Sequence, residues 1–390
     1  MTRPLLFSQY AGFITLGFVL SIMSPLIESI RSDLSINYTR SGMIITGQFL
    51  GSLLTVLAGG YIADRIGKKP FLLAGSAVIT GGLIGCAFAP SFEILAVFCV
   101  ITGVGAGTYE VGINALMADN TESESGKAMN FLHFFYGIGA IAAPVIATCI
   151  LSNGRSWRIA LIAGAALPVI YVLFFAPQKV RKVRSSVDET DSRALFSNGT
   201  LWLYGIAIML YVGIETTTYG WIPSYWKKTG AEFPPQSIIA SVFWATLTAG
   251  RIICGLISDK TGLTRFIAGT SIITLVAGLV WMIFPYGWVT IICIFTIGFS
   301  LAGVYPTLMA ITTQILSGGT GKIVAIMTVF GSLGGFLIPL AIGRIADLRG
   351  ILILPAAVSV LAFLMCVTVN VRSITSSIKS IAGLTDEHHA

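Results

Sequence analysis

Apolar stretches of membrane-spanning length recur along almost the whole chain, divided by short polar breaks rich in Gly, Pro and basic residues. A hydrocarbon core about 30 Å thick takes roughly 20 residues of α-helix. On that measure the breaks predict spans near residues 5–27, 41–63, 70–89, 93–117, 128–151, 157–176, 201–226, 236–258, 265–284, 288–313, 322–345 and 350–370. Backbone in lipid must satisfy its own hydrogen bonds, which leaves helices or closed barrels, and long runs without period-two alternation exclude the barrel. The expectation is an all-α membrane protein of twelve transmembrane helices. The first run, Leu5 to Ile27, is too long for a signal-peptide core and lacks a small-residue cleavage site, so it reads as a retained span.

The pattern also repeats. Gly60, Asp64 and Gly67 fall on Gly255, Asp259 and Gly262, and Gly139 and Pro144 fall on Gly334 and Pro339, all at one offset of 195 in a chain of 390 residues. Six spans per copy put both copies in the same orientation, the parallel repeat that transporters use to build a solute site between halves. The expected units are two pseudo-symmetric six-helix bundles, 1–177 and 201–390, joined by the polar linker 178–200.

Composition agrees: 55% hydrophobic, 11% charged, mean hydropathy +0.86, against roughly 25% charged for soluble domains. The net charge of +7 reflects basic loops beside anionic lipid and calls for no nucleic acid. Arg65, Lys68, Lys69, the Lys179–Arg193 cluster, Lys260, Arg265 and Arg372 fall on one side of the membrane. That excess places both termini and the linker in the cytoplasm, in a multi-pass protein of the bacterial cytoplasmic membrane. The six cysteines stand singly in apolar runs and read as small buried hydrophobes. No phosphate loop, metal-ligand spacing or nucleophile–base pairing occurs, so neither metal nor cofactor is expected, and the chain does not read as an enzyme.

Between the second and third spans, Gly60-Tyr61-Ile62-Ala63-Asp64-Arg65-Ile66-Gly67-Lys68-Lys69 resembles the loop signature of the major facilitator superfamily, with a weaker copy at Gly255–Gly262. Glycines permit a tight turn and close helix approach, while Asp64, Arg65 and Asp259 can make charge-assisted bonds to helix ends. The reading is a pair of gates; Arg251 either joins them or snorkels to the cytoplasmic interface.

Glu110 is the leading candidate for chemistry. A carboxyl inside an apolar span must face a cavity, find a partner or take up a proton, and Asn114, four residues on, shares its helix face. In the fifth span, Asn130, His133 and Gly137 share a face, and imidazole titrates near neutrality. Glu215 is a further buried acid, and Tyr211, Trp221, Trp244 and Tyr136 offer apolar faces to a sugar ring.

Gly107, Glu110 and Asn114, then Asn130 and His133 (where the fucose permease has Gln), Gly139-Ala140, Gly303–Thr307 and Gly331–Gly335 resemble the fucose permease family, the fucose:proton symporter branch of the superfamily. The resemblance covers essentially the whole chain. It implies a sugar-type solute and a proton-carrying glutamate, which would be Glu110. The first span departs: the family's acid falls on Ser24, and Glu28, one turn later, is either a displaced second acid or an interfacial residue. Multidrug export loses ground because the expected fourth-span Arg is Cys99. The expected function is symport of a hexose or related sugar by alternating access, coupled to a proton in preference to sodium, by a monomer. The alternatives are an exporter of a small metabolite or drug, or a solute sensor on a transporter fold.

Overall fold

The computed structural model describes residues 3–118, 125–180, 196–231, 233–315 and 320–381. The first bundle comprises α1 (Arg3–Ser21), α2 (Met23–Asp33), α3 (Tyr38–Ile66), α4 (Lys68–Phe88), α5 (Phe92–Ala118), α6 (Ser125–Ser152) and α7 (Trp157–Phe175). The second comprises α8 (Gly199–Lys228), α9 (Ile239–Thr261), α10 (Leu263–Ile283), α11 (Gly287–Leu301), α12 (Val304–Ile315), α13 (Thr320–Arg349) and α14 (Leu354–Ile381). Two expected spans are each broken in two. Pro25 cannot donate to the Ser21 carbonyl, and the first span interrupts at Ile22; Pro306 likewise leaves Ala302 without its helical donor, and the tenth interrupts at Ala302–Gly303. With these pairs joined, eleven helices among the described residues are long and apolar enough to cross a membrane, and α9 makes the twelfth. Most of the linker lies outside the described residues.

Consecutive spans alternate between two faces. One, the terminal face, carries Arg3, the α3–α4 and α9–α10 turns and the end of α14; the other is the distal face. The duplication persists in three dimensions, because each major packing in one bundle has its mate in the other. These mates are α1–α6 with α8–α13, α3–α5 with α9–α11, and α4–α7 with α10–α14. The turns match as well: Gly67 and Gly262 have φ of +97° and +81°, and their carbonyls accept from the N–H of Phe71 and Phe266. A side chain is disfavoured in that left-handed region.

The helix crossings explain why small residues sit where they do. A Cβ on Gly103 of α5 would lie 2.0 Å from the Gln48 carbonyl oxygen of α3, and one on Gly51 would lie 2.0 Å from that of Val100. Without a hydrophobic drive between helices in lipid, such close backbone approach supplies the packing energy. The crossing brings the α3 and α5 backbones together close to Glu110. Cys86 and Cys99, expected to stand apart, approach to 3.9 Å between sulfurs in the buried α4–α5 contact.

Between bundles, α3 meets α13, its mate α9 meets α6, and α2 meets α8. The last contact lies on the pseudo-two-fold axis, since the Ser24 hydroxyl donates to the carbonyl of Tyr219, its own repeat counterpart 195 residues away, at 2.5 Å. Gly103→Ala should lower the unfolding temperature of the purified protein, with a loss of about 1–3 kcal/mol from overpacking. Gly81→Ala, with nothing within 4 Å of the new methyl, should be neutral or stabilising by about 0.5–1 kcal/mol.

Candidate functional site

Glu110 lies on α5 beside α3, where its carboxylate accepts from the Ser52 hydroxyl at 3.2 Å. Gly107, one turn earlier, lets the two helices close up: a Cβ there would meet Thr55 at 2.7 Å. Asn114 shares this face, and its buried side-chain oxygen has no hydrogen-bond partner among the described residues. Glu110 is thus held by a neutral hydroxyl.

A second acid faces the first across the bundles. Glu215 on α8 is within electrostatic reach of Arg251 on α9 and of the Tyr211 hydroxyl. Arg251 was expected at a gate or at the membrane surface. It instead donates to the His133 carbonyl on α6 at 3.0 Å, and it shares an electrostatic neighbourhood with Glu215, Tyr136, Tyr211 and Tyr305. The reason is geometric. Residue 251 lies near the middle of α9, too far from either helix end to reach the interface, and α6 offers a carbonyl at that level.

Aromatic rings complete the surroundings. Trp244 stacks edge-on against Tyr136 with centroids 5.6 Å apart and lies 5.0 Å from Tyr219, while Tyr211 and Tyr305 are 5.9 Å apart. The buried Trp244 indole N–H has no acceptor among the described residues. His133 packs its ring against Phe13 at 5.4 Å. The fold therefore gathers Glu110, Asn114, His133, Tyr136, Tyr211, Glu215 and Trp244 at the junction of the bundles. Trp221 stands elsewhere: fully buried, it donates to the Pro339 carbonyl at 3.1 Å and packs on Tyr38, inside the distal α3–α13 seam.

Sequence reasoning passed over Ser52 and Tyr305. Tyr305 sits in the Gly303–Thr307 segment, but its proximity to Glu110, Glu215 and Arg251 arises only when α12 packs across the bundle. Asn130 and Asp259 lie on described helices, with their side chains outside the description. Glu28 is buried at the distal face, bonded to Arg31, Ser224 and Lys227.

Of the residues expected at gates, Gly60, Asp64 and Arg65 occupy the exposed terminal end of α3, and Gly67 makes the turn into α4. The lysines that follow hold this turn to its neighbours. Lys68 donates to the Ala115 carbonyl at the end of α5 at 3.2 Å, and Lys69 to that of Gln178 beyond α7 at 2.8 Å.

The bundles close at the distal face. Asp347 of α13 accepts from the backbone N–H of Tyr38 and Thr39 at 2.8 and 2.9 Å, and the Thr148 and Ser237 hydroxyls meet at 2.7 Å. Residues 44–48 of α3 and 216–226 of α8 are buried all round, whereas Leu57, Ala58, Gly60, Tyr61 and Ile62 are exposed. Glu110, Glu215, His133 and Arg251 are nonetheless only half-buried.

A polar centre between two parallel six-helix repeats is a transporter's arrangement. The Major Facilitator Superfamily model matches residues 10–339. The chain belongs to that superfamily. It is similar to the uncharacterised MFS-type transporter YfkL of Bacillus subtilis (strain 168), at 25% identity over 88% of this chain and 89% of the relative. It is also similar to the sodium-dependent glucose transporter 1A of Mus musculus, at 26% over 86% and 88%. Among solved structures the D-xylose–proton symporter shares the fold, with a TM-score of 0.77 at 14% identity over 93% of this chain and 96% of the other. The chain is therefore an integral multi-pass transporter of a small-molecule solute.

Trp244→Phe keeps an aromatic ring and removes an N–H that no described protein group accepts. Thermal stability without solute should fall by about 1–2 kcal/mol, since no hydrogen bond within the protein is lost but the smaller ring leaves a cavity beside Tyr136 and Tyr219. Affinity for the transported solute, read as its stabilisation of the fold, should fall by about 0.5–1.5 kcal/mol for one lost hydrogen bond.

Proposed function

We propose that this transporter takes up a hexose or related sugar by symport with a proton, alternating between faces across a bacterial cytoplasmic membrane with both termini cytoplasmic. One observation carries the coupling: Glu110 is a carboxyl inside a membrane bundle whose named partner is a hydroxyl and not a cation. Where no cation compensates it, a carboxylate in that setting is costly, and taking up a proton removes the charge. Proton binding and solute binding are then linked through the same small volume, each altering the other's affinity by the same factor.

Several features support a hydroxylated, neutral solute. Arg251 is faced by Glu215 rather than left as a free cation, so the pair brings no surplus positive charge to demand an anion. Asn114 and Trp244 present an unpaired acceptor and an unpaired donor among the described residues, and Tyr136 and Trp244 give an apolar edge of the kind a pyranose ring covers. The relative named as a sodium-dependent glucose transporter favours a second reading, in which the same carboxylate binds sodium.

The experiment is flux in sodium-free liposomes under an imposed pH gradient, paired with counterflow without one. Unsubstituted protein should accumulate sugar under the gradient alone. Glu110→Gln should lose accumulation while keeping counterflow, because a side chain that cannot titrate contributes no linkage. Accumulation that requires added sodium would replace the proton reading, and full accumulation by the Gln variant would remove Glu110 from coupling.

A further inference from the structure

At the distal face the bundles hold each other through two carboxylates, one from each. Glu28 on α2 is shut away from solvent, with 1% of its side chain exposed, and it reaches across to α8. It accepts from the Ser224 hydroxyl at 2.6 Å and approaches the Lys227 ammonium at 3.3 Å, while Arg31 of its own helix grips it at 2.7 and 3.2 Å. Asp347 on α13 does the reverse. It caps the N-terminus of α3, taking the free N–H groups of Tyr38 and Thr39 and the Thr39 hydroxyl. A carboxylate at a helix N-terminus satisfies orphan donors and meets the positive end of the helix dipole.

The repeat makes this pairing informative. Near a two-fold axis each residue meets its own counterpart, as Ser24 meets Tyr219, so a charge kept in both copies would face its like. Both acids are absent from the opposite copy. The counterpart of Glu28 is Pro223, that of Lys227 is Ser32, and that of Asp347 is Ser152. The charged contacts exist because the two copies diverged at these positions.

We propose that Glu28 and Asp347 form a reciprocal latch that holds the distal gate shut, with Glu28 as the positioning residue that sets the balance between the two facing states. In a symmetric bundle pair without it, α2 and α8 would be joined by little more than apolar packing and the hydroxyl contact on the axis. Opening the distal face pulls Ser224 and Lys227 off Glu28 and Asp347 off the α3 N-terminus. A polar cleft of about 370 Å³, lined by Glu28, Ser29, Ser32, Asp33, Lys227 and Gln236, adjoins the contact and supplies water to the separating charges. The latch is therefore breakable, as a cycling transporter requires. Without the acid, Lys227 loses its partner and faces Arg31, which keeps only Asp347 and the Tyr38 ring nearby, and the repulsion favours the distally open state. This assignment rests on transport by alternation between faces and not on the sugar or the proton.

Hydrogen–deuterium exchange on the full chain in lipid nanodiscs tests it, with Glu28→Gln, Lys227→Gln and Asp347→Asn. Glu28→Gln should speed exchange at least threefold in the distal segments 21–33 and 216–228 and slow it at the terminal-face ends of α3 and α13, which close as the other side opens. Lys227→Gln, a half-exposed position, should shift exchange in the same sense and less. Asp347→Asn should do so at 216–228, well away from the cap it removes. Opposite signs at the two faces distinguish a shifted balance from simple loosening. Faster exchange at both faces, or no change at either in Glu28→Gln and Lys227→Gln, would overturn the latch. If Glu28→Gln does not fold, the Lys227→Gln result decides.

Discussion

Hydrocarbon gives an ionisable side chain few options: to pair, to face water or to be neutral. Three acids show how much follows from that constraint. Glu28 is paired, closed in by Arg31, Lys227 and Ser224 at the distal seam. Glu215 is half-buried and opposed by Arg251 through shared surroundings with Tyr211. Glu110 is half-buried and accepts from the Ser52 hydroxyl. Their surroundings differ accordingly: one is held by cations and a hydroxyl, one is opposed by a cation, one meets a hydroxyl.

Duplication supplies the frame in which these acids act. Equivalent crossings in the two bundles, with small residues at matching positions, give two similarly packed halves related by an axis through the α2–α8 contact. Two such halves, with polar residues gathered where they meet, are the arrangement of parallel-repeat transporters. The chemistry does not obey the repeat, however. Glu110 falls opposite Tyr305, and the two face each other across the centre instead of forming two identical sites. Like symmetry-related charges would repel near the axis, so a single asymmetric centre is the form in which charge is tolerated there.

The same logic separates Arg251 from the α3–α4 and α9–α10 turns. Gly67 and Gly262 keep the repeat, in sequence and in φ, because a tight turn depends on backbone conformation alone. Arg251 has Val56 as its counterpart, and its role depends on which elements surround it. Its nearness to the second gate motif in sequence suggested the terminal face. The carbonyl of His133, on a helix of the other bundle, holds it at the centre.

Sequence alone determined the class of protein, the number of spans, the parallel repeat, the family signature and the identity of Glu110 as an acid without an evident partner. These rest on local and additive properties: the length of apolar runs, the conformational demands of glycine and proline, and the cost of a carboxyl in lipid. It also contained the breaks at Pro25 and Pro306, legible from the missing donor though the expected spans ran through them. Only the tertiary structure decided that Trp221 serves the distal seam, that Tyr305 and Ser52 face the centre, that Cys86 meets Cys99, and that Glu28 spans the two bundles. Each of those depends on which helix faces of distant segments meet, and most helices here are apolar over so much of their surface that periodicity does not say which face turns inward.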